Sequence, residues 1–286
     1  MYKPLLLIIL GPTAVGKTDF AIERALECGS PVVSCDSRQI YKELKIGTAP
    51  PSSEQLARVR HYFIFSHSVN DYFTAGRYEI EALALLEELF KTHSTVVMAG
   101  GSGLYIDALC NGLDDFPPAD QNLRRRLTLK AEKEGVESLA ALLREIDPLS
   151  YETIEISNRQ RVIRAVEVTL QTGRKFSDWK SHAVKERPFQ IRKIFLSRDR
   201  ELLYERINKR VDLMMEQGLL DEALSLMRFR DRPALNTVGY KELFDYIDGK
   251  TSLAEAVELI KRNSRRYAKK QLTYWRRDNA LETVCI

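Results

Sequence analysis

The chain of 286 residues lacks any long apolar run, and its uninterrupted apolar stretches fall well short of the roughly 18 residues that a membrane-spanning helix needs. Cysteine and histidine are scarce, and neither shows the CxxC or histidine-ligand spacing of a metal site. These residues are Cys28, Cys35, Cys110, Cys285, His61, His67, His93 and His182. We therefore expect reduced structural thiols, surface histidines and no metal site built from protein ligands alone.

The N-terminal segment leaves no room for a targeting peptide, because Met1-Tyr2-Lys3-Pro4 leads directly into an apolar, strand-like run. Hydrophobic residues make up 44% of the chain, which is enough for one large core or two modest ones. We therefore predict a soluble protein of the cytoplasm.

The most informative motif is G-P-T-A-V-G-K-T at residues 11–18. It follows the apolar run at residues 5–10 and opens a helix-compatible stretch at 17–28, which is the setting typical of a P-loop. Backbone N–H groups and the helix N-terminus of such a loop bind an anion, Lys17 adds a cation, and the Thr18 hydroxyl is suited to Mg²⁺. The residues predicted to bind a phosphorylated ligand are Gly11, Pro12, Thr13, Ala14, Val15, Gly16, Lys17 and Thr18.

Positive charge is concentrated near the C-terminus. The net charge is only +4, yet residues 261–277 hold eight basic side chains and no acidic one. Such a run is usually a solvated helix face. Here Ala268, Leu272 and Trp275 fall on one helical stripe, and a helix that docks by this stripe with its cations outward is suited to a polyanion.

The first hundred residues alternate between strand-like and helix-like patterns. Strands are predicted at residues 5–10, 32–35 and 95–99, and helices at 17–28, 77–90 and 104–109. This alternation predicts an α/β fold with a parallel sheet, whose ligand lies at the carboxyl ends of the strands. We expect the strand ends at Gly11, Asp36 and Gly100 to meet in one crevice.

The pattern changes near residue 117, after which helical periodicity continues to about 188 without a convincing strand. Ser157 or Asn158 is suited to cap a helix at 159–171, and Gly173 to end it. A strand at 191–196 resumes the sheet, followed by helices at 199–217 and 220–227 and the basic tail. We therefore predict a core formed by residues 1–116 and 190–286, with an all-helical insertion at 117–189.

Other motifs narrow the class of phosphate-binding protein. An N-K-x-D guanine-reading motif is missing, which argues against a GTPase. Asp36 is the one candidate for a magnesium-binding strand-end carboxylate, but the following S-R-Q-I-Y is better suited to holding a substrate than to closing a nucleotide site. A simple capping role for Asp36 is the alternative.

Six further segments accompany the P-loop. They are D-S-R-Q-I-Y-K-E-L-K-I-G-T-A at Asp36, A-G-G-S-G-L-Y at Ala99, R-Q-R-V-I-R-A-V-E-V at Arg159, R-I-N-K-R-V-D-L-M at Arg206, T-V-G-Y-K-E at Thr237 and R-Y-A-K-K-Q-L-T-Y-W-R-R at Arg266. With them the chain resembles the bacterial tRNA dimethylallyltransferases over nearly its whole length. Two departures stand out: Ser102 replaces a common Thr, and H-Y-F-I-F at 61–65 replaces a stretch that usually carries an acid.

The resemblance implies a nucleoside-kinase-like P-loop core that transfers a dimethylallyl group from dimethylallyl diphosphate to the N6 amine of the adenosine 3′ of the anticodon. It implies Asp36 as proton acceptor, Thr13, Lys17 and Arg210 as stabilisers of the leaving pyrophosphate, and Mg²⁺ on Thr18 as cofactor. The implied tRNA contacts are Asp36, Ser37, Arg38, Gln39, Ser102, Arg124, Gln160, Arg161, Val162, Ile163, Arg164, Lys269, Lys270, Arg276 and Arg277. The expected partner is a tRNA anticodon stem-loop. No membrane is expected to take part, and the protein is expected to be a monomer.

Three other functions remain open. A prenyltransferase of free adenine nucleotides shares the P-loop and Asp36 but has no need of the insertion or the basic tail. A small-molecule kinase needs an arginine lid and ATP. A nucleic-acid-binding module without catalysis leaves the P-loop unexplained.

Overall fold

A computed structural model describes residues 3–181, 183–278 and 280–286. Within these residues the strands are β1 Leu5–Leu10, β2 Val32–Ser34, β3 His61–Tyr62, β4 Thr95–Gly100, β5 Gln190–Ser197 and β6 Glu282–Cys285. The helices are α1 Lys17–Cys28, α2 Ser53–Arg58, α3 Ala75–Leu89, α4 Gly103–Asn111, α5 Gln121–Glu134, α6 Val136–Ile146, α7 Pro148–Thr153, α8 Arg159–Thr172, α9 Arg200–Glu216, α10 Leu219–Ser225, α11 Tyr240–Ile247 and α12 Leu253–Trp275. His182, predicted to lie on the surface, is outside the described residues.

The strands form one parallel sheet in the order β3-β2-β4-β1-β5-β6. Because β2, β4 and β1 are neighbours, the residues that follow them lie at the same edge of the sheet. The registers pair Leu10 with Gly100 and Ser34 with Ala99. The predicted parallel α/β sheet is confirmed, and the ends of these three strands do meet.

The apolar run of β1 explains its central place in the sheet. Its residues from Leu6 to Leu10 are almost wholly buried, since helices cover both faces of a parallel sheet. Helix α1 returns along one face and buries Ala21, Ile22 and Ala25. Burial of this strand and helix fixes the turn between them, which is the predicted P-loop.

The described chain divides into two compact units. The first ends at Cys110 and resumes at Glu186, and the second is Asn111–Lys185. Helices α5, α6, α7 and α8 build the second unit around a small core that includes Leu127, Leu143 and Val166. Of the two predicted caps of α8 it is the Asn158 side chain that accepts from the Arg161 N–H, and Gly173 ends the helix with φ 70°.

Short elements escaped prediction. Helix α2 and strands β3 and β6 have six, two and four residues, too few to establish a period in the sequence. The helix predicted at 220–227 ends at Ser225 and is followed by a 3-10 turn at Met227–Phe229. Within the described residues no helix has both the length and the hydropathy of a bilayer span.

Candidate active site

The P-loop backbone adopts conformations that its glycines make accessible. Gly16 caps α1 with φ 116°, a value that L side chains rarely adopt. Gly11 is required for space, since a Cβ atom there would lie 2.8 Å from the Leu196 carbonyl oxygen. Ala14 has φ 64°, a strained conformation for a residue with a side chain. The loop is therefore held tightly between β1, β5 and α1.

Lys17 lies against the carbonyl groups of its own loop. Its ammonium donates to the Gly11 oxygen at 3.0 Å and to the Pro12 oxygen at 2.7 Å. Burial lowers the pKa of Lys17 to about 8, against the opposing effect of the Asp36 charge. The predicted phosphate-binding cation is thus already positioned in the loop.

Arginines of helix α9 brace the other side of the loop. Arg210 donates to the Thr13 hydroxyl, and Arg206 donates to the Ala14 carbonyl at 2.9 Å. The two are four residues apart and share one helix face. Burial lowers the pKa of Arg210 to about 10, while Asp36 raises it, so the guanidinium stays charged at neutral pH. Arg206 was not predicted as a site residue.

Asp36 follows strand β2 and is held by one carboxylate oxygen. Its Oδ1 accepts from the Arg38 N–H at 2.8 Å and from the Gln39 N–H at 3.2 Å, as in an Asx turn. None of the described residues donates a hydrogen bond to its Oδ2. The residue therefore shapes its turn with one oxygen and leaves the other for a different partner.

Two cavities meet at the three residues predicted to be catalytic. The first cavity, of about 290 Å³, has the P-loop at one side and the apolar groups of Ala21, Pro50 and Ile64 at another. The second, of about 600 Å³, lies between the turn after β2 and the helices α9, α11 and α12. The residues that line both are Thr13, Asp36, Thr48 and Arg210.

The other predicted residues of the Asp36 turn mostly hold neighbouring loops. Ser102 accepts from the Ser37 N–H at 2.9 Å, and this contact joins the ends of β2 and β4. Gln39 donates its side-chain amide to the carbonyl oxygens of Thr48 and Ala49. The hydroxyl at Ser102 is therefore in use.

Residues 61–65, which depart from the family pattern, contribute to the first cavity. His61 and Ile64 lie in its wall. Burial lowers the pKa of His61, whose Nδ1 lies 2.8 Å from the Val59 carbonyl oxygen. Phe63 and Phe65 have φ 59° and 51°, which are strained backbone conformations for residues with bulky side chains.

The basic tail forms the end of α12 and the turn after it. Ala268 and Trp275 are buried, and Leu272 is half-buried, which confirms the predicted docking stripe. Four cations of this segment are exposed: Lys269, Lys270, Arg276 and Arg277. Gln271 lies on the buried side and was missed by the sequence analysis, although it sits inside the family segment at Arg266.

In the second unit, two predicted arginines bind one buried carboxylate. Arg124 and Arg164 both donate to Oε2 of Glu167, whose side chain is fully buried. Gln160 and Arg161 are exposed. The arrangement brings together a guanidinium group from the first turn of α5 and one from the middle of α8.

One part of the tRNA prediction is contradicted by burial. Val162 and Ile163 have side chains that are 0% and 1% exposed and belong to the core of the second unit. They form the apolar stripe of α8, so these side chains cannot contact RNA from solvent. The prediction that they bind tRNA is wrong for their side chains.

A half-buried carboxylate positions the loop that carries Thr48. Glu222 accepts hydrogen bonds from the Lys45, Ile46 and Gly47 N–H groups and from the Tyr240 hydroxyl, at 2.6 to 3.2 Å. We expect Glu222→Gln to lower the free energy of unfolding by about 1–3 kcal/mol, because an amide N–H₂ would face donors that then lose their acceptor. Denaturant unfolding measures this.

The matched control is Glu216→Gln, at an exposed glutamate that ends α9. It should change the free energy of unfolding by less than about 0.5 kcal/mol. Equal effects of the two substitutions would contradict the role given to Glu222.

Comparison with known proteins places the chain in a family. A model of the IPP transferase family matches residues 39–278. A tRNA dimethylallyltransferase 1 from Bacteroides thetaiotaomicron is 49% identical over 278 residues, 97% of this chain and 90% of that protein. A tRNA dimethylallyltransferase 2 from Parabacteroides distasonis is 51% identical over 273 residues, 96% of this chain and 91% of that protein.

Solved structures give the same result. A full-length tRNA isopentenylpyrophosphate transferase from Bacillus halodurans has 35% identity and a TM-score of 0.72, and the match covers 99% of this chain and 90% of that one. A eukaryotic dimethylallyltransferase that acts on tRNA, at 22% identity and a TM-score of 0.81, shares the fold, over 99% of this chain and 74% of that one. The resemblance inferred from the sequence segments is confirmed, and the chain belongs to the IPP transferase family.

Proposed function

We propose that this protein transfers the dimethylallyl group of dimethylallyl diphosphate to the exocyclic N6 amine of the adenosine 3′-adjacent to the anticodon in tRNA. The names of its close relatives support the reaction class. The observation that carries the proposal is the junction of two cavities at Thr13, Asp36 and Arg210. One cavity contains a phosphate-binding loop, and the other opens among the cations of α12.

The chemistry follows from the charges around the first cavity. The allylic carbon–oxygen bond breaks as negative charge develops on the pyrophosphate, so groups that stabilise this charge accelerate the reaction. Lys17 and Arg210 supply cations there, and the Thr13 hydroxyl supplies a donor. The apolar wall of the same cavity suits the hydrocarbon part of the substrate.

The cofactor would be Mg²⁺. Among the described residues no group of three histidine, cysteine or acidic side chains is placed to hold a metal. Mg²⁺, however, commonly binds through one or two protein oxygens, substrate phosphates and water. Thr18 lines the first cavity, and its hydroxyl fits this donor set. When bound, the ion would neutralise charge on the diphosphate.

Asp36 is the proposed proton acceptor. The N6 amine becomes acidic as its new bond to carbon forms, so an ordinary carboxylate suffices if it lies within hydrogen-bond distance. Its Oδ1 is occupied by the turn, and Oδ2 is the atom proposed to take the proton. Such a base reaches the amine only if the nucleotide is turned out of the anticodon loop.

The function is tested by incubating unmodified tRNA with the protein, Mg²⁺ and dimethylallyl diphosphate, with and without ATP, and analysing the nucleosides by mass spectrometry. We expect N6-dimethylallyladenosine without any need for ATP. Turnover that depends on ATP hydrolysis would favour the kinase. Prenylation of free adenine nucleotides but not of tRNA would favour the second prenyltransferase function.

The second unit and the tail are proposed to bind tRNA. The protein is proposed to act as a monomer in the cytoplasm. Replacing Lys269, Lys270, Arg276 and Arg277 together by Gln should raise the tRNA dissociation constant, while the affinity for pyrophosphate is retained. The slope of log K against log salt should fall by about 0.7 to 0.9 for each phosphate that these side chains no longer neutralise. Filter binding at several salt concentrations measures the tRNA dissociation constant and its dependence on salt.

A matched control neutralises four exposed cations elsewhere in the first unit: Lys42, Arg58, Lys91 and Lys250. It should leave the salt slope unchanged. Binding of tRNA by the parent protein that is independent of salt would contradict the assignment of the tail as a phosphate-binding surface.

A further inference from the structure

Gln271 connects the basic helix to the P-loop. Its side chain is 6% exposed and both ends of its amide are in use. Oε1 accepts from the Thr13 N–H at 2.9 Å, and Nε2 donates to the Gly101 carbonyl at 3.0 Å. One side chain of α12 therefore joins the loop after β1 to the loop after β4.

Thr13 is consequently held from two sides. Gln271 binds its backbone N–H, while Arg210 donates to its hydroxyl. Its side chain lines both cavities, at the place where the two meet. Because the Thr13 N–H is directed to Gln271, the contribution of Thr13 to the site comes from its hydroxyl.

The space around the Gln271 amide admits no side chain at Gly101. A Cβ atom at Gly101 would lie 2.2 Å from Nε2 of Gln271 and would force the amide to move. Gly101 has no positive φ in this structure, so the constraint is one of space alone. Glycine at position 101 therefore leaves the space that the Gln271 amide occupies.

We propose that Gln271 is a positioning residue for dimethylallyl transfer, which holds Thr13 so that its hydroxyl faces the junction of the two cavities. The inference rests on the proposed function. Gln271 acts through Thr13 and does not itself touch the reacting atoms. A purely structural amide would affect stability, whereas this one sets the rate of the chemical step.

The test compares single-turnover transfer rates at saturating tRNA and dimethylallyl diphosphate. Gln271→Met keeps the length of the side chain and removes both hydrogen bonds. We expect the rate to fall about 10- to 100-fold, because misplacing a group of the site by about 1 Å can cost about 100-fold. The dissociation constant for tRNA should change less than about twofold, since the effect lies in kcat.

Gln271→Glu provides the conservative variant. It retains an acceptor for the Thr13 N–H and loses the donor to Gly101, so we expect it to recover part of the rate. Thr273→Ala is the control on the same helix, because Thr273 is exposed and donates to the carbonyl of Lys269. It should retain the parental rate.

A double-mutant cycle separates a positioning role from a general structural one. In a Thr13→Ala background the hydroxyl is missing, so Gln271→Met should lower the rate by less than about threefold further. Multiplicative effects of the two substitutions would overturn the proposal. So would a parental rate for Gln271→Met.

Gly101→Ala displaces the Gln271 amide without a substitution at Gln271 or Thr13. This variant replaces Gln271→Met in the test if thermal unfolding shows that Gln271→Met does not fold. It should reproduce the loss in rate, and a parental rate would overturn the proposal. A parent protein that gives no prenylated adenosine contradicts the proposed function, and this inference with it. If the parent is active and the Gln271 and Gly101 variants have the same transfer rate, only the inference about Gln271 is contradicted.

Discussion

Asp36→Asn is expected to lower the single-turnover rate of transfer by about 10²- to 10⁴-fold while both substrates still bind. The substitution is well suited to the question, because an Asn side-chain oxygen can still accept from the Arg38 and Gln39 N–H groups. The turn after β2 is therefore retained, whereas the negative charge and the capacity to take a proton are removed. Rapid-quench measurements at saturating tRNA report the chemical step.

The control is Asp19→Asn, a second carboxylate that lines the first cavity and has no proposed role in proton transfer. Its rate should stay close to that of the parent. Asp36→Ala should be worse than Asp36→Asn, since it also removes the acceptor that holds the turn. A near-parental rate for Asp36→Asn would reduce Asp36 to a structural cap and move the proton acceptor to water or pyrophosphate.

Lys17→Ala should lower the transfer rate by about 10²-fold or more, the usual loss when one preorganised charge is removed. Lys42→Ala, at an exposed lysine outside both cavities, is the matched control. It should have little effect. A comparable loss in the control, or none in Lys17→Ala, would contradict the proposed role of Lys17 at the diphosphate.

The pKa of Lys17 adds a pH dependence with a definite sign. Burial lowers it to about 8, so the ammonium that binds the diphosphate is progressively deprotonated as pH rises through that value. The advantage of the parent over Lys17→Ala in pyrophosphate affinity should therefore be largest near pH 7 and shrink toward pH 9. Isothermal titration at several pH values measures it, and an advantage that is independent of pH would contradict this assignment.

The sequence predicted the parts of the site that arise from local patterns. The P-loop is recognised from one strand, one turn and one helix start, all within residues 5–28. The crevice follows from a general rule, since the ends of neighbouring parallel strands lie together. Asp36 was found in this way, and its capping role and its proposed catalytic role use different oxygens of one carboxylate.

Contacts between distant segments escaped prediction. Gln271 lies 258 residues from Thr13 along the chain, and Arg206 lies 192 residues from Ala14. No periodicity connects such positions. The basic composition of residues 261–277 also gives no sign that the side-chain amide of Gln271 is buried. The burial of the Val162 side chain was missed for another reason: its segment matches the family, but the sequence alone does not say which of the residues face the core.

The pairing of β1 with β5 has a consequence for how the protein is made. Leu10 is paired with Phe195, and the whole helical unit Asn111–Lys185 is synthesised between them. At ribosomal rates of roughly 5–20 residues per second, one edge of the most apolar strand waits about 10 to 40 s for its partner. An open strand edge is a template for association with other chains. During translation the edge of the strand that leads into the P-loop is therefore open to association with other chains until β5 has been synthesised.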